Sequence, residues 1–417
     1  MRCAASIAAL VSASANPALA EPETAVEERL TAEQVRADLD AWLEWTKATH
    51  PDLSYSVAPA GLQTAAERVA RDLPETLSHA QAWRKLAALN PLLNDAHLGI
   101  LVPRVSHVSD DALPLTVAVS RDSLTLSASA EASDPAVEIA AFNGVPWADL
   151  YAQSMALLRG ENDALRRFII ERRLHGLLRL LLPEGELTSM TIKSASGGPI
   201  VVPVDASRLR FVAPDASGYA LQFEGDTAVL SIPSFARDRE EEFAAFLNQA
   251  FAKITKHGSK SLRIDISQNG GGAHDLSDRL MAYLTSEPYA ATSAITARIT
   301  PENQALVLGS TLGDVVTVPF ADPVTPPQDL ANRFVGDVTI KLGAKTYSQA
   351  IVFAATAQDT GLAQLSGMVP QAPANQTGQV QTFTLPNTGF TVRAPIYIIF
   401  RASGDKGRDP LKLDISG

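Results

Sequence analysis

The sequence predicts an α/β protein, and three observations carry that expectation. From about Gly218 onward, apolar strand-length runs alternate with amphipathic helices, the pattern of right-handed crossovers over a largely parallel sheet. Nearer the N-terminus two capping boxes open helices. The chain of 417 residues is 46% hydrophobic and 19% charged, a globular composition with length for two or three domains.

The elements follow in order. Arg2, a short apolar stretch from Cys3 to Val11 and the small-residue site Ala18-Leu19-Ala20 read as a secretory signal over residues 1–20. That segment is too short and too rich in Ser and Ala for a stable membrane span. It contains the only cysteine, so the mature chain has neither a disulfide nor a thiolate nucleophile. Such a chain suits a bacterial periplasm. Residues 21–104 are expected to form a helical domain. Thr31-Ala32-Glu33-Gln34 caps a helix carrying Val35, Leu39, Trp42 and Leu43; a second helix covers Leu62 to Leu73, and Ser78-His79-Ala80-Gln81 caps a third. Residues 105–215 read as a mixed α+β middle region: strands around Leu115–Val119, Ser123–Leu126 and Ile139–Phe142, the turn Asn143-Gly144, a long helix over Asn162–Leu182, and strands near Met190 and Ile200. Residues 216–417 alternate strand and helix: strands at Ala228–Ile232, Leu262–Ile266, Val338–Leu342 and Ala363–Ser366, with helices at Arg239–Lys256, Leu276–Leu284 and Gln349–Gln358.

Two segments carry chemistry. Asn269-Gly270-Gly271-Gly272 ends a strand and precedes a helix. Three glycines let the backbone turn sharply and present N–H groups, which suits a phosphate, an oxyanion or a plain turn. There is no Gly-Lys-Ser/Thr and no G-x-G-x-x-G, so phosphate is disfavoured. Ser348 follows a strand and starts an apolar helix. A serine at such a place serves as a helix N-cap or as a nucleophile projecting from the sheet end.

Together these segments resemble the tail-specific (C-terminal processing) serine peptidases. Leu262 to Gly272 is similar to that family's Asp-hydrophobic-Arg-x-Asn-Gly-Gly-Gly signature, and Thr346-Tyr347-Ser348 to its nucleophile segment. Thr49-His50-Pro51 and Asn94-Asp95-Ala96-His97 resemble segments of its tricorn-like branch. The resemblance implies a crotonase/ClpP-like core and peptide-bond hydrolysis without a cofactor. It implies Ser348 as nucleophile, with backbone N–H groups of Gly270 or Gly271 and of Gln349 as oxyanion hole. The processing peptidases use a lysine some two dozen residues after the serine, but Leu365 to Val380 contains none. The histidine of the tricorn-like branch then matches His97, with His274 a rival by proximity. Asp405, Asp409 or Asp95 would orient it.

The sequence departs from the family pattern at Ser267, in place of the arginine, at Ala96 in Asp-Ala-His, and at Ser366-Gly367-Met368, which lacks the usual acid. No PDZ domain is evident. These departures keep two alternatives open, an inactive peptide-binding relative and an esterase-type acyl hydrolase. Seven scattered histidines and no H-E-x-x-H predict no metal. A net charge of -11 disfavours nucleic acid and anionic membranes as partners and leaves a peptide or protein substrate, with the oligomeric state open.

Overall fold

The computed structural model describes residues 29–104, 109–110, 112–128, 136–183, 185–194, 198–213, 218–307, 309–320 and 323–415. The signal segment at 1–20 and the borders drawn at 105 and 215 lie outside them. The fold is mixed α/β, with helices and several sheets. It divides into two compact units. The first takes residues up to Lys47, Asp52–Ala216 and Thr382–Ala394; the second takes Ala48–Pro51, Ser217–Gln381 and Pro395–Gly417. Among the described residues no helix is long and apolar enough to cross a membrane.

In the first unit, β1 (Leu30–Thr31) leads into α1 (Ala32–Thr49), followed by α2 (Pro59–Arg71), β2 (Thr76–Leu77), α3 (His79–Ala87) and β3 (Gly99–Ile100). Both capping boxes form. Thr31 Oγ1 accepts from the Gln34 N–H while Gln34 Oε1 accepts from the Thr31 N–H, and Ser78 and Gln81 repeat the exchange. Next come β4 (Leu113–Val119), β5 (Leu124–Ser127), β6 (Val137–Phe142), β7 (Val145–Pro146), α4 (Trp147–Met155), α5 (Asp163–Leu181), β8 (Ser189–Ile192), β9 (Ile200–Pro203) and β10 (Leu209–Val212). The sheet runs β10-β4-β5-β6-β8-β9, with β7 on β6. Asn143 (φ 47°) and Gly144 (φ 77°) make its tight β6–β7 turn, where a left-handed pair is required. Asn162 caps α5 by accepting from the Leu165 N–H. The helices and the sheet share one apolar cluster, which joins Leu39 and Trp42 of α1, Trp83 and Leu86 of α3, Leu115 and Leu126 of the sheet, and Ile170 and Leu174 of α5.

The same cluster takes in Leu385, Phe390 and Val392, far downstream in sequence. Asp38 of α1 explains how they are held. Its fully buried carboxylate accepts from the Asn387 N–H (3.0 Å), Asn387 Nδ2 (2.8 Å), the Thr388 N–H (2.7 Å) and Thr388 Oγ1 (2.6 Å). Four donors on one carboxylate are what keeps a buried charge tolerable.

The second unit contains β11 (Ala220–Glu224), β12 (Thr227–Ser231), α6 (Glu240–His257), β13 (Ser261–Asp265), α7 (His274–Met281), β14 (Thr292–Arg298), β15 (Val315–Pro319), β16 (Asp337–Leu342), α8 (Gln349–Asp359), β17 (Gln364–Gly367), β18 (Gln376–Thr384) and β19 (Thr391–Arg401), the last two crossing the division between units. One sheet has the order β11-β12-β13-β16-β17, with β12, β13, β16 and β17 mutually parallel and β11 antiparallel at the edge. The parallel strands are apolar where they are covered, as Leu262, Ile264, Ile340 and Leu342 illustrate. A second sheet, β15-β14-β19-β18, pairs β14 antiparallel to both its neighbours. That sheet is not evident from the sequence.

Candidate active site

The candidate site lies where β13 and β16 end side by side. Parallel pairing sets Asp265 opposite Lys341, so the segments that follow, 266–273 and 343–348, leave the sheet together. They are stitched to each other. Thr346 Oγ1 donates to the Ile266 carbonyl and accepts from the Gly343 N–H, each at 2.9 Å. The Tyr347 N–H donates to the Asn269 carbonyl at 3.0 Å. Gly343 must be glycine, because a Cβ there would lie 2.5 Å from the Ser267 carbonyl oxygen. Burial pushes the Asp265 carboxyl up, but hydrogen bonds from Lys341 and Ser267 outweigh it and hold the group below its usual range.

Asn269 is fully buried and braces the glycine run. Its Nδ2 donates to the Ile232 carbonyl (3.0 Å) and its Oδ1 accepts from the Gly271 N–H (2.8 Å). The run packs against the serine turn: a Cβ on Gly271 would stand 2.8 Å from Ser348 Cβ and from the Tyr347 carbonyl oxygen, and 2.9 Å from the Gln349 nitrogen. Gly271 also has φ 98°. Gly271→Ala is therefore expected to lower turnover at least 100-fold and stability by about 2–4 kcal/mol, combining overpacking with backbone strain. Steady-state kinetics beside a thermal melt test this, and near-wild-type values would refute the close packing.

Ser348 has φ 52° and ψ −126°, a conformation that side-chain-bearing residues seldom adopt. Its side chain makes no capping hydrogen bond to α8, so an N-cap role does not account for it. Such backbone strain is of order 1–3 kcal/mol and clusters at functional sites. The side chain is only half-buried, and among the described residues no partner is found for Oγ. The N–H groups of Gly270 and Gln349 likewise have no acceptor among them. The Gln349 side chain is tied to Ser277 Oγ (2.9 Å) and lies out of the way. The structure thus brings together Ser348, Gly271 and Gln349.

The remaining candidates have surroundings of their own. His274 starts α7 and is exposed. Asp405 and Asp409 are exposed on the C-terminal loop; Asp405 Oδ1 accepts from the Gly407 N–H (2.8 Å), and the Asp409 carbonyl accepts from the Ala374 N–H (2.9 Å). His97 belongs to the first unit. It is buried there, with Nδ1 3.7 Å from Asp95 Oδ1, and Asp95 is itself fixed by the His97 N–H (2.7 Å) and Ser56 Oγ (2.7 Å). Burial lowers the His97 pKa from 6.5 to about 4; Asp95 opposes that shift, while Arg393 and Arg159 add to it. The imidazole is therefore neutral at physiological pH.

Gln376 is a further residue at the serine turn, which sequence reasoning missed. It is buried, and its Oε1 accepts from the Ser348 N–H at 3.0 Å. The available signal was the polar run Asn375-Gln376-Thr377, whose three members are all buried.

No curated protein sequence matches this chain. Among solved structures, mature CPAF complexed with lactacystin matches with a TM-score of 0.61 and 16% identity, over 92% of this chain and 94% of that one. Mature CPAF alone gives 0.60 and 16%, over 92% of each. At that identity the likeness establishes the fold. Residues 226–415 match the model of Peptidase family S41, and this part of the chain is a serine-type peptidase domain of the S41, or C-terminal processing, kind.

Proposed function

We propose that the protein is an exported peptidase that cleaves peptide bonds through an acyl-enzyme on Ser348. The conformation of Ser348 carries this reading: a strained residue at a strand-to-helix turn, with a hydroxyl bound to nothing among the described residues, packed against a glycine run that a Cβ would disrupt. Ser348 Oγ attacks the scissile carbonyl, and the N–H groups of Gly270 and Gln349 receive the oxyanion. Gly271, whose own N–H is engaged by Asn269, shapes the space. We assign the general base to His97, which takes the Ser348 proton and delivers it to the leaving amine. Its neutral imidazole and the adjacent Asp95 support the assignment. For the orienting acid, that adjacency favours Asp95 over Asp405 and Asp409. Export rests on the signal-like residues 1–20.

A fluorophosphonate probe tests the reading. Labelling mapped to Ser348, and slowed at least 100-fold in His97→Ala, is the expected result. No labelling of the wild-type chain would favour an inactive peptide-binding protein, and rapid labelling of His97→Ala would remove His97 as base.

The lowered pKa gives a pH signature. A base titrating at about 4 keeps kcat/KM flat down to roughly pH 5, whereas an ordinary histidine would bend the profile near 6.5. Stability responds with the same sign. The unfolded chain binds the proton at 6.5 and the folded chain only at about 4, so stability is full above pH 6.5 and falls as the pH drops toward 4. An acid limb centred near 6.5 would contradict both statements.

A further inference from the structure

We infer that Gln376 is a positioning residue that fixes the Ser348 turn and selects which backbone N–H groups remain for the substrate. The inference rests on Ser348 being the nucleophile. Its geometry is specific. Gln376 lies at the start of β18 with its side chain buried. Oε1 accepts from the Ser348 N–H at 3.0 Å, and Nε2 donates to the Pro373 carbonyl. The carboxamide has one workable orientation. Turned over, it would set an NH2 against the Ser348 N–H and an oxygen against the Pro373 carbonyl. The Ser348 carbonyl accepts from the Ile351 and Val352 N–H groups of α8, and the Tyr347 N–H is held by the Asn269 carbonyl. The strained residue is therefore pinned on both sides, and Gln376 supplies the only side-chain contact to its amide among the described residues.

Two consequences follow. The left-handed φ of Ser348 is sustained by a bond that a relaxed backbone would break. The Ser348 N–H is also withdrawn from the pocket, while the Gln349 N–H, one residue on, stays without an acceptor and open to an oxyanion. The neighbouring Asn375 does different work. Its Nδ2 donates to the Asp405 and Gly407 carbonyls and its Oδ1 accepts from the Arg401 N–H, so it holds the C-terminal loop and not the serine.

That contrast supplies the control. In Gln376→Met, a side chain of similar length without an acceptor, kcat and the fluorophosphonate labelling rate are expected to fall 30- to 100-fold, with KM within threefold of wild type. In Asn375→Ala the melting temperature drops but kcat stays within threefold. Equal labelling of Gln376→Met and wild type would overturn the inference, as would a loss confined to KM. A measurement on the wild-type chain guards against a variant that does not fold. The Ser348 amide should exchange with deuterium at least 100-fold more slowly than the Gln349 amide; equal rates would remove the Gln376 contact. A wild-type chain that resists labelling altogether would instead defeat the nucleophile reading, and the exchange rates would still judge the contact.

Discussion

Ser348→Ala is expected to reduce peptide turnover by on the order of 10⁴–10⁶-fold and to abolish probe labelling, while the protein keeps its fold. The size follows from the proposed mechanism. Without Oγ no acyl-enzyme forms, and what remains comes from binding and the N–H donors alone. The fold survives because Oγ has no partner among the described residues and alanine leaves no buried group unpaired. Alanine does retain the backbone strain at φ 52°. Ser348→Gly removes it, since glycine enters that region without a Cβ penalty. The glycine variant should be as inactive as the alanine variant yet about 1 kcal/mol more stable than it. Equal melting temperatures for the two would show that the turn is unstrained, and residual turnover above one part in a thousand would point to another nucleophile.

Asp38→Ala is expected to destabilise the first unit by about 3–5 kcal/mol. The substitution leaves four donors from Asn387 and Thr388 buried without an acceptor, a larger penalty than the loss of the bonds themselves. For a unit of this size the melting temperature should fall by roughly 10 °C. Asp38→Asn keeps one oxygen but turns an NH2 toward the remaining donors, so an intermediate loss is expected. A shift below 2 °C in Asp38→Ala would mean that the loop is held by its apolar neighbours Leu385 and Phe390.

The sequence was most legible where structure is local or continuous. Both capping boxes form because Thr31 with Gln34, and Ser78 with Gln81, answer each other within one turn. β12 announces itself by the apolar run Ala228 to Leu230, and β13 and β16 by buried apolar residues at alternate positions, Leu262 and Ile264 in one and Val338, Ile340 and Leu342 in the other. The antiparallel sheet was illegible for the opposite reason. β18 (QTGQVQTFT) is largely polar, and β14 (TSAITAR) is mostly small or polar, with Ile295 as its one large apolar residue. Both owe their strand state to partners distant in sequence, to which local pattern is blind.

The site divides in the same way. The glycine run and Ser348 could be read as a pair, but the positive φ of Ser348 and the engagement of the Gly271 N–H by Asn269 are facts of tertiary packing. Gln376 was invisible because a single glutamine at the start of a polar strand carries no periodicity, and only its burial marks it out. The lowered pKa of His97 likewise comes from burial and, secondarily, from charges such as Arg393 that lie far along the chain.

The clamp between Asp38 and the Asn387–Thr388 loop has a consequence in time. Its two ends are separated by some 350 positions in the chain. At translation speeds of 5–20 residues per second, roughly 20–70 s pass between the emergence of the carboxylate and that of its donors. Throughout that interval the first unit lacks its last segment, so the nascent chain has no finished unit to close upon itself. Were the chain exported as proposed above, that delay would keep the first unit open until Thr388 has been made.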